Sequence, residues 1–378
     1  MAIQNAKFAL LRRRLQTGIG IDIGSYLTKI VRFSPQQPGQ FECVALPTRA
    51  GMPPVKTAAP ALAALSAQPA VSDQRKQRAG NSVDFTRWSS QQAESLANRL
   101  AVAIGSANLR GARVAATISM AACDFRSFHA TNGEKLSRTD IIRSVQEATQ
   151  DSRSRSLALI PGASGESKTR VLSLPEELPE AIATHLDRRG LFPEFLEALP
   201  WTLARALSQL KSSHRVLVGI DWSFGDPTLL ATVDGKIDYV RRLNAGNVGR
   251  MIDRAIDSFQ FSKAEAIRWL ERTTLAADHP AAAAVDYESN QWLSDNCRQL
   301  AQEINTSIEF IQWRNQGQKV QEIYIVGGGA ELPALIDFIQ PELSVPLASW
   351  HPDGTSGEMV PPVFAMAASL AAHLGGLT

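Results

Sequence analysis

A strand that ends on an aspartate and turns straight into a second strand occurs twice in this chain. That repetition limits the fold more than any other feature. The first copy is "GIDIGSYLTKIVRF" (20–33), and the second is "GIDWSFGD" (219–226) running into "PTLLATVDGKIDYVRRL" (227–243). In each, an apolar run carries Asp22 or Asp221 near its end, and a turn leads into a further alternating run, the pattern of a β-hairpin. Two Asp-bearing hairpins so far apart predict two facing lobes. A third piece, "EIYIVGGGAELPALIDFI" (322–339), is a hydrophobic strand, three glycines and an apolar helix.

Each piece has a chemical reading and a plain one. Gly18, Gly20 and Gly24 are spaced GxGxxxG, whereas a dinucleotide fingerprint needs GxGxxG between a strand and a helix, with an acid roughly 20 residues further on. Here a second strand follows, so the segment reads as strand, tight Gly-Ser turn, strand. Such a hairpin can aim backbone N–H groups at a phosphate, with Gly24 permitting close approach and Lys29 adding a point charge. Asp22 at the strand end is placed to orient water on a magnesium ion; the competing reading is an ordinary edge hairpin. The triple glycine lacks GK[ST] and is no P-loop. It lets backbone lie flat against a planar ring or a sugar, or it marks a closely packed turn.

The 378 residues predict two to three domains of ordinary size. Lys plus Arg number 39 against 37 Asp plus Glu, which leaves no basic field of the kind that holds nucleic acid. Cys43, Cys123 and Cys297 lie far apart with no CxxC, and the histidines form no HExxH, so a reducing, cytoplasmic compartment without a zinc site is expected. Arg12, Arg13 and Arg14 follow the apolar Phe8 to Leu11, the reverse of a signal peptide. No apolar run approaches the roughly 18 residues of a spanning helix. Phe8, Leu11 and Leu15 fall at helical spacing, which fits a short amphipathic helix on an anionic membrane or a partner, or a frayed tail.

Residues 47–82, rich in Ala, Pro, Ser and Gln and without an aromatic residue, read as a mobile surface insertion. "DSRSRSLALIPGASGESK" (151–168) reads as a loop inside a smaller unit. Strand-like runs at 113–120, 170–174 and 215–222 alternate with helical segments at 137–150 and 174–190. Asp234-Gly235 predicts a type I′ turn. Leu293, Cys297, Leu300, Ile304, Ile308 and Ile311 recur at helical spacing. Ser262 and Glu265 make a capping box. "PPVFAMAASLAAHLGG" (361–376) reads as a buried terminal helix. The class is α/β, with hairpins as well as crossovers.

In this order the three pieces resemble the actin-like ATPase superfamily, whose two phosphate hairpins and adenosine-binding Gly motif come from two related lobes. The closer resemblance is to the PilM family of type IV pilus assembly proteins. It rests also on "ARVAATISM" (112–120) as a core strand, "RRGLFPEFLEALPWTLARAL" (188–207) as the connecting helix, "AEAIR" (264–268) as the adenosine-side helix and "INTSIEFI" (304–311) as the long helix. It runs from about residue 18 to the C-terminus, interrupted mainly by 47–82. The resemblance implies an actin-like (ribonuclease H-like) two-lobed fold with a small inserted subdomain. The first lobe would comprise 18–123, 192–212 and 357–378, the insert 124–191 and the second lobe 213–356, after a basic tail at 1–17.

It also implies ATP and magnesium as ligands, bound weakly or vestigially. Asp22, Gly24, Ser25 and Lys29 match the first phosphate hairpin, and Asp221 and Gly246 the second phosphate segment. Glu265 and Arg268 match the pair that faces ribose and adenine, and Gly327, Gly328 and Gly329 the adenosine loop. Asp22 and Asp221 would hold magnesium through water. The implied partner is a PilN-like inner-membrane protein, bound through a short cytoplasmic peptide in a groove of the insert. That implies a cytoplasmic protein peripheral to the inner membrane, without nucleic acid, and admits a homo-oligomer in a pilus, competence or secretion machine.

The departures bear on activity. Tyr26 and Leu27 are bulky where the family tends to place small hydroxyl residues, and Asp221-Trp222-Ser223 replaces Asp-x-Gly, so a Cβ intrudes where backbone approaches phosphate. Leu199 precedes Pro200 where the family often has an acid near the attacking water. Phosphoryl transfer depends on orienting that nucleophile, so hydrolysis is expected to be poor or absent. The alternatives are an active ATPase or sugar kinase of the superfamily, and an FtsA-like filament protein. The latter family adds a membrane-targeting helix, whereas this chain stops at "AASLAAHLGGLT" (367–378).

Overall fold

The computed structural model describes residues 17–24, 27–33, 41–47, 55–56, 90–105, 111–120, 123–129, 137–149, 154–160, 168–272, 283–351 and 360–376. The basic tail with Phe8, Leu11 and Leu15, the turn residues Ser25 and Tyr26, and most of 47–82 lie outside them.

Two sheets of the same design form the frame. In the first, the strands β1 (Gly18–Ile23), β2 (Leu27–Phe33), β3 (Phe41–Pro47), β4 (Val55–Lys56), β5 (Arg113–Ile118) and β9 (Phe192–Ala198) lie in the order β4-β3-β2-β1-β5-β9. In the second, β10 (Val216–Asp221), β11 (Thr228–Val233), β12 (Lys236–Arg242), β13 (Ile323–Val326) and β14 (Leu347–Ser349) lie in the order β12-β11-β10-β13-β14. Each has an antiparallel three-strand meander, with two parallel strands added beside its first strand. The register repeats too. Asp22 lies opposite Lys29, and Asp221 opposite Thr228.

Glycines explain how helices dock between the sheets. The helix α9 (Ala365–Leu374) packs on β1, β2 and β5, and α4 (Leu199–Ser208) packs on β10, β11 and β12; α4 and α9 also pack on each other. A Cβ on Gly20 would lie 1.8 Å from the Ala367 carbonyl oxygen, and one on Gly18 2.2 Å from that of Ala371. These two opening glycines are therefore seats for the last helix. Gly219, at the equivalent place in the second sheet, faces Leu203 and Leu207 of α4. Trp350 Nε1 donates to the Ala206 carbonyl at 2.8 Å, and Gln209 Nε2 to the Ser369 carbonyl at 3.0 Å, which fastens α4 to its surroundings.

A third sheet, in the order β6-β8-β7, is inserted between β5 and β9. Its strands are β6 (Asp124–His129), β7 (Arg155–Ile160) and β8 (Lys168–Pro175). The helix α2 (Arg138–Thr149) covers one face through Ile141 and Val145, which pack with Phe128, Leu157 and Val171. The helix α3 (Glu177–Arg188) packs on α1 (Ser90–Gly105). The second lobe adds α5 (Val248–Phe259), α6 (Lys263–Arg272), α7 (Ala283–Arg314) and α8 (Pro333–Ile339). Its turn signals hold: Asp234 and Gly235 take φ of 49° and 74° between β11 and β12.

Three expectations need correction. The stretch read as a loop at 151–168 contains β7 and the start of β8, because its run "RSLALI" has a strand partner in β8 over Ser156↔Leu174 to Ile160↔Arg170. The insertion at 47–82 contributes Val55 and Lys56 as a short edge strand on β3. The connecting segment 188–207 is half strand: Phe192–Ala198 pairs with β5 before Pro200 sets the first turn of α4.

Candidate functional site

The two Asp-bearing hairpins meet near the N-terminal ends of α4 and α9, since β1 runs from Ala371 past Ala367 and β10 past Leu207 and Leu203 toward those ends. In the first, Lys29 Nζ lies 2.8 Å from Asp22 Oδ2, and both side chains are nearly buried, at 8% and 6% exposure. The Gly24 N–H closes the turn onto the Leu27 carbonyl at 3.1 Å. A Cβ on Gly24 would lie 2.7 Å from that oxygen, so glycine is required there. Leu27 is a core residue, and Ser25 and Tyr26 fall outside the described residues.

In the second hairpin, Asp221 is 5% exposed. Burial pushes its carboxyl up to about 7, and the Asp22 charge adds to that, while Lys29 and a hydrogen bond with the Ser223 side chain act in the opposite direction. These influences place Asp22, Lys29 and Asp221 in one cluster built from both lobes. Thr117, opposite Asp22, and Thr228, opposite Asp221, are fully buried beside it.

The glycine motif is closed against the same turn. Gly327 has φ 91°, and a Cβ there would lie 2.6 Å from Asp221 Oδ1. The Cβ of a residue replacing Gly329 would lie 2.6 Å from the Trp222 ring, and one replacing Gly328 would lie 3.0 Å from the Phe224 ring. The flat wall that the sequence predicts is thus laid against planar rings, and the rings are the chain's own. Trp222 Nε1 donates to the Gly246 carbonyl at 2.7 Å, so Gly246 joins the cluster through the indole. Gly246 itself sits against Leu300 of α7, and the amides of Asn244 and Ala245 donate to the Glu303 carboxylate from 3.0 to 3.3 Å.

Glu265 and Arg268 stand apart in role. Both are exposed on α6. The Ser262 N–H donates to Glu265 Oε2 at 2.7 Å while Glu265 N–H donates to Ser262 Oγ at 3.2 Å, a complete capping box. These bonds hold the Glu265 carboxyl below its ordinary value, with the Arg268 charge a smaller influence. Among the described residues, no hydrogen bond or ion pair joins either to Asp22 or Asp221.

One cross-lobe residue is missing from the sequence reading. Arg242, opposite Thr228 on β12, donates through its terminal nitrogen to the carbonyls of Met120 and, at 3.1 Å, Cys123, at the root of the inserted sheet. Its only sequence signal is its place seven residues past the Asp234-Gly235 turn, which brings it back level with Thr228.

The donor set does not suit magnesium phosphate as it stands. Lys29 already neutralises Asp22, and the glycine wall is covered on its Cβ side by Trp222 and Phe224. Leu199 is buried at the start of α4, with no carboxylate of its own to offer a water.

No protein-family model matches the sequence, and no curated protein matches it. Among solved structures, the chain is 19% identical to a chain of the "PilM-PilN type IV pilus biogenesis complex", covering 95% of this chain and 98% of that one with a TM-score of 0.60. It is 12% identical to the ethanolamine utilization protein EutJ from Carboxydothermus hydrogenoformans, over 94% and 89% of the two chains, with a TM-score of 0.44. It is 11% identical to an inorganic polyphosphate/ATP-glucomannokinase from Arthrobacter sp. strain KM, over 96% and 99%, with a TM-score of 0.43. The twin sheets, alike in order apart from the extra edge strand β4, and the first of these likenesses define an actin-like, two-lobed α/β fold. The pilus complex chain shares that fold over nearly the whole of both chains. Among the described residues no helix is long and apolar enough to cross a membrane.

Proposed function

We propose that this chain is a PilM-like adaptor, held at the cytoplasmic face of an inner-membrane pilus, competence or secretion platform by a PilN-like protein. The observation that carries the reading is the end-to-end likeness to a chain of the PilM–PilN complex, which spans both lobes and the insert. The partner's short cytoplasmic peptide would dock on the inserted unit at 124–191. The lobes, at 18–123 with 192–212 and 357–378, and at 213–356, would serve as its frame.

Nucleotide would bind weakly or not at all. Lys29 is already paired with Asp22, and Leu199 stands where a carboxylate would orient the attacking water. Any ATP and magnesium would have to engage Asp22, Gly24, Ser25, Lys29, Asp221, Gly246 and Gly327 to Gly329 after that pair separates. The test is calorimetric titration of the full chain with a synthetic peptide spanning the short cytoplasmic segment of a PilN-like protein encoded nearby. Saturable micromolar binding, lost on scrambling the peptide, is expected; absence of binding overturns the adaptor role.

A further inference from the structure

Three residues of the second hairpin turn, Asp221, Trp222 and Phe224, meet the three glycines. Asp221 and the Trp222 carbonyl meet Gly327, the Phe224 ring meets Gly328 and the Trp222 indole meets Gly329. Backbone bonds lock the match. The Trp222 N–H donates to the Val326 carbonyl at 2.8 Å, and the Gly329 N–H donates to the Trp222 carbonyl at 2.7 Å.

The two rings have different surroundings. Trp222 is 1% exposed and points toward α7, since its indole N–H ends on Gly246 and Gly246 rests on Leu300. It backs the wall from inside the lobe. Phe224 comes after Ser223, whose hydroxyl turns to Asp221, and Asp221 is the residue that feels the charges of Asp22 and Lys29 across the lobe boundary. Phe224 stands two residues beyond Trp222 in the same turn, and its ring comes within 3.0 Å of the place a Cβ on Gly328 would take. Its carbonyl accepts the N–H of Gly249 at 2.9 Å, which anchors the turn to the start of α5, and the residue is 6% exposed.

We infer that Phe224 is a built-in plug that excludes nucleotide: its ring occupies the face of Gly328 on which the flat base or sugar of a purine nucleotide would rest. This deepens the reading above and rests on it, since it takes the cleft for a nucleotide site that has been closed. A phenyl ring satisfies the wall permanently, at no loss of translational freedom, whereas a free ligand must lose that freedom to bind. The closed wall then keeps the second lobe in one shape whether or not ATP is present.

The experiment is calorimetric titration of the full chain and of Phe224→Ala with MgATP, with the PilN-type peptide titrated into the same preparations. Wild type is expected to bind MgATP no tighter than about millimolar, and Phe224→Ala at least about tenfold tighter. Micromolar binding by wild type overturns the plug. So does a Phe224→Ala protein that melts cooperatively and gains no affinity. Should the alanine variant not fold, Phe224→Leu keeps the core filled while shrinking the ring's footprint, and a gain of about threefold is the threshold below which the inference fails. The peptide arm separates the two readings. A wild type that takes peptide beside a variant that gains no ATP sinks the plug alone, whereas a wild type that ignores the peptide sinks the adaptor.

Discussion

Replacing Asp221 by asparagine tests the electrostatics of the lobe junction directly. Burial and the neighbouring Asp22 raise the Asp221 carboxyl from 3.8 to about 7, with the opposing pull of Lys29 and Ser223 already included in that net shift. Below the unfolded value both states hold the proton and the shift costs nothing. Between 3.8 and about 7 the unfolded chain releases its proton while the folded one keeps it, so stability falls as pH rises. Above about 7 both are ionised and the penalty is complete, on the order of 4 kcal/mol at 1.36 kcal/mol per unit. Asparagine does not titrate. Wild type and Asp221→Asn should therefore be close at about pH 4.5, and the variant should be the more stable by about 3 kcal/mol relative to that reference at about pH 8. Carboxylates that do not interact with Asp221 are common to both proteins and cancel. Urea unfolding across this range, in EDTA so that no divalent ion intervenes, measures the gap. A gap that stays constant with pH, or one that opens toward acid, refutes the burial of Asp221 beside Asp22.

Three further outcomes follow from the structure. Lys29→Met leaves the buried Asp22 carboxylate without its partner and should cost about 3–5 kcal/mol, most of it recovered in the Lys29→Met/Asp22→Asn double variant; a single-variant cost under about 1 kcal/mol in urea titration would show the pair to be solvated. Gly20→Ala drives a methyl to 1.8 Å from the Ala367 carbonyl and should cost about 3 kcal/mol or more, or yield no soluble protein. Gly235→Asn, with no atom within 4 Å and a side chain that tolerates positive φ, should cost about 1 kcal/mol or less in the same assay.

Local rules read the local structure well. The Asp234-Gly235 turn, the Ser262–Glu265 box and the α7 stripe from Leu293 to Ile311 all form as their spacing predicts, because each depends on residues within a few positions. What escaped depends on distant partners. Arg155–Ile160 reads as a loop because its flanks are rich in Ser and Gly, yet pairing with β8 outweighs propensity. The glycine signal was legible and its cause was not. Gly18 and Gly20 answer to a helix more than 340 residues further along, and Gly328 and Gly329 to rings in the other hairpin, which no spacing rule reports. At the site, the meeting of Asp22 with Asp221 was legible from the repeat, whereas the cross-lobe reach of Arg242 became visible only once β12 had a register.

The seating of α9 on Gly18 and Gly20 joins β1 to a helix more than 340 residues further along. During synthesis β1 must wait, one face bare, until α9 has left the ribosome. A chaperone that shields that face, or an early stop codon that deletes the helix, would decide the fate of the nascent protein long before any partner is met.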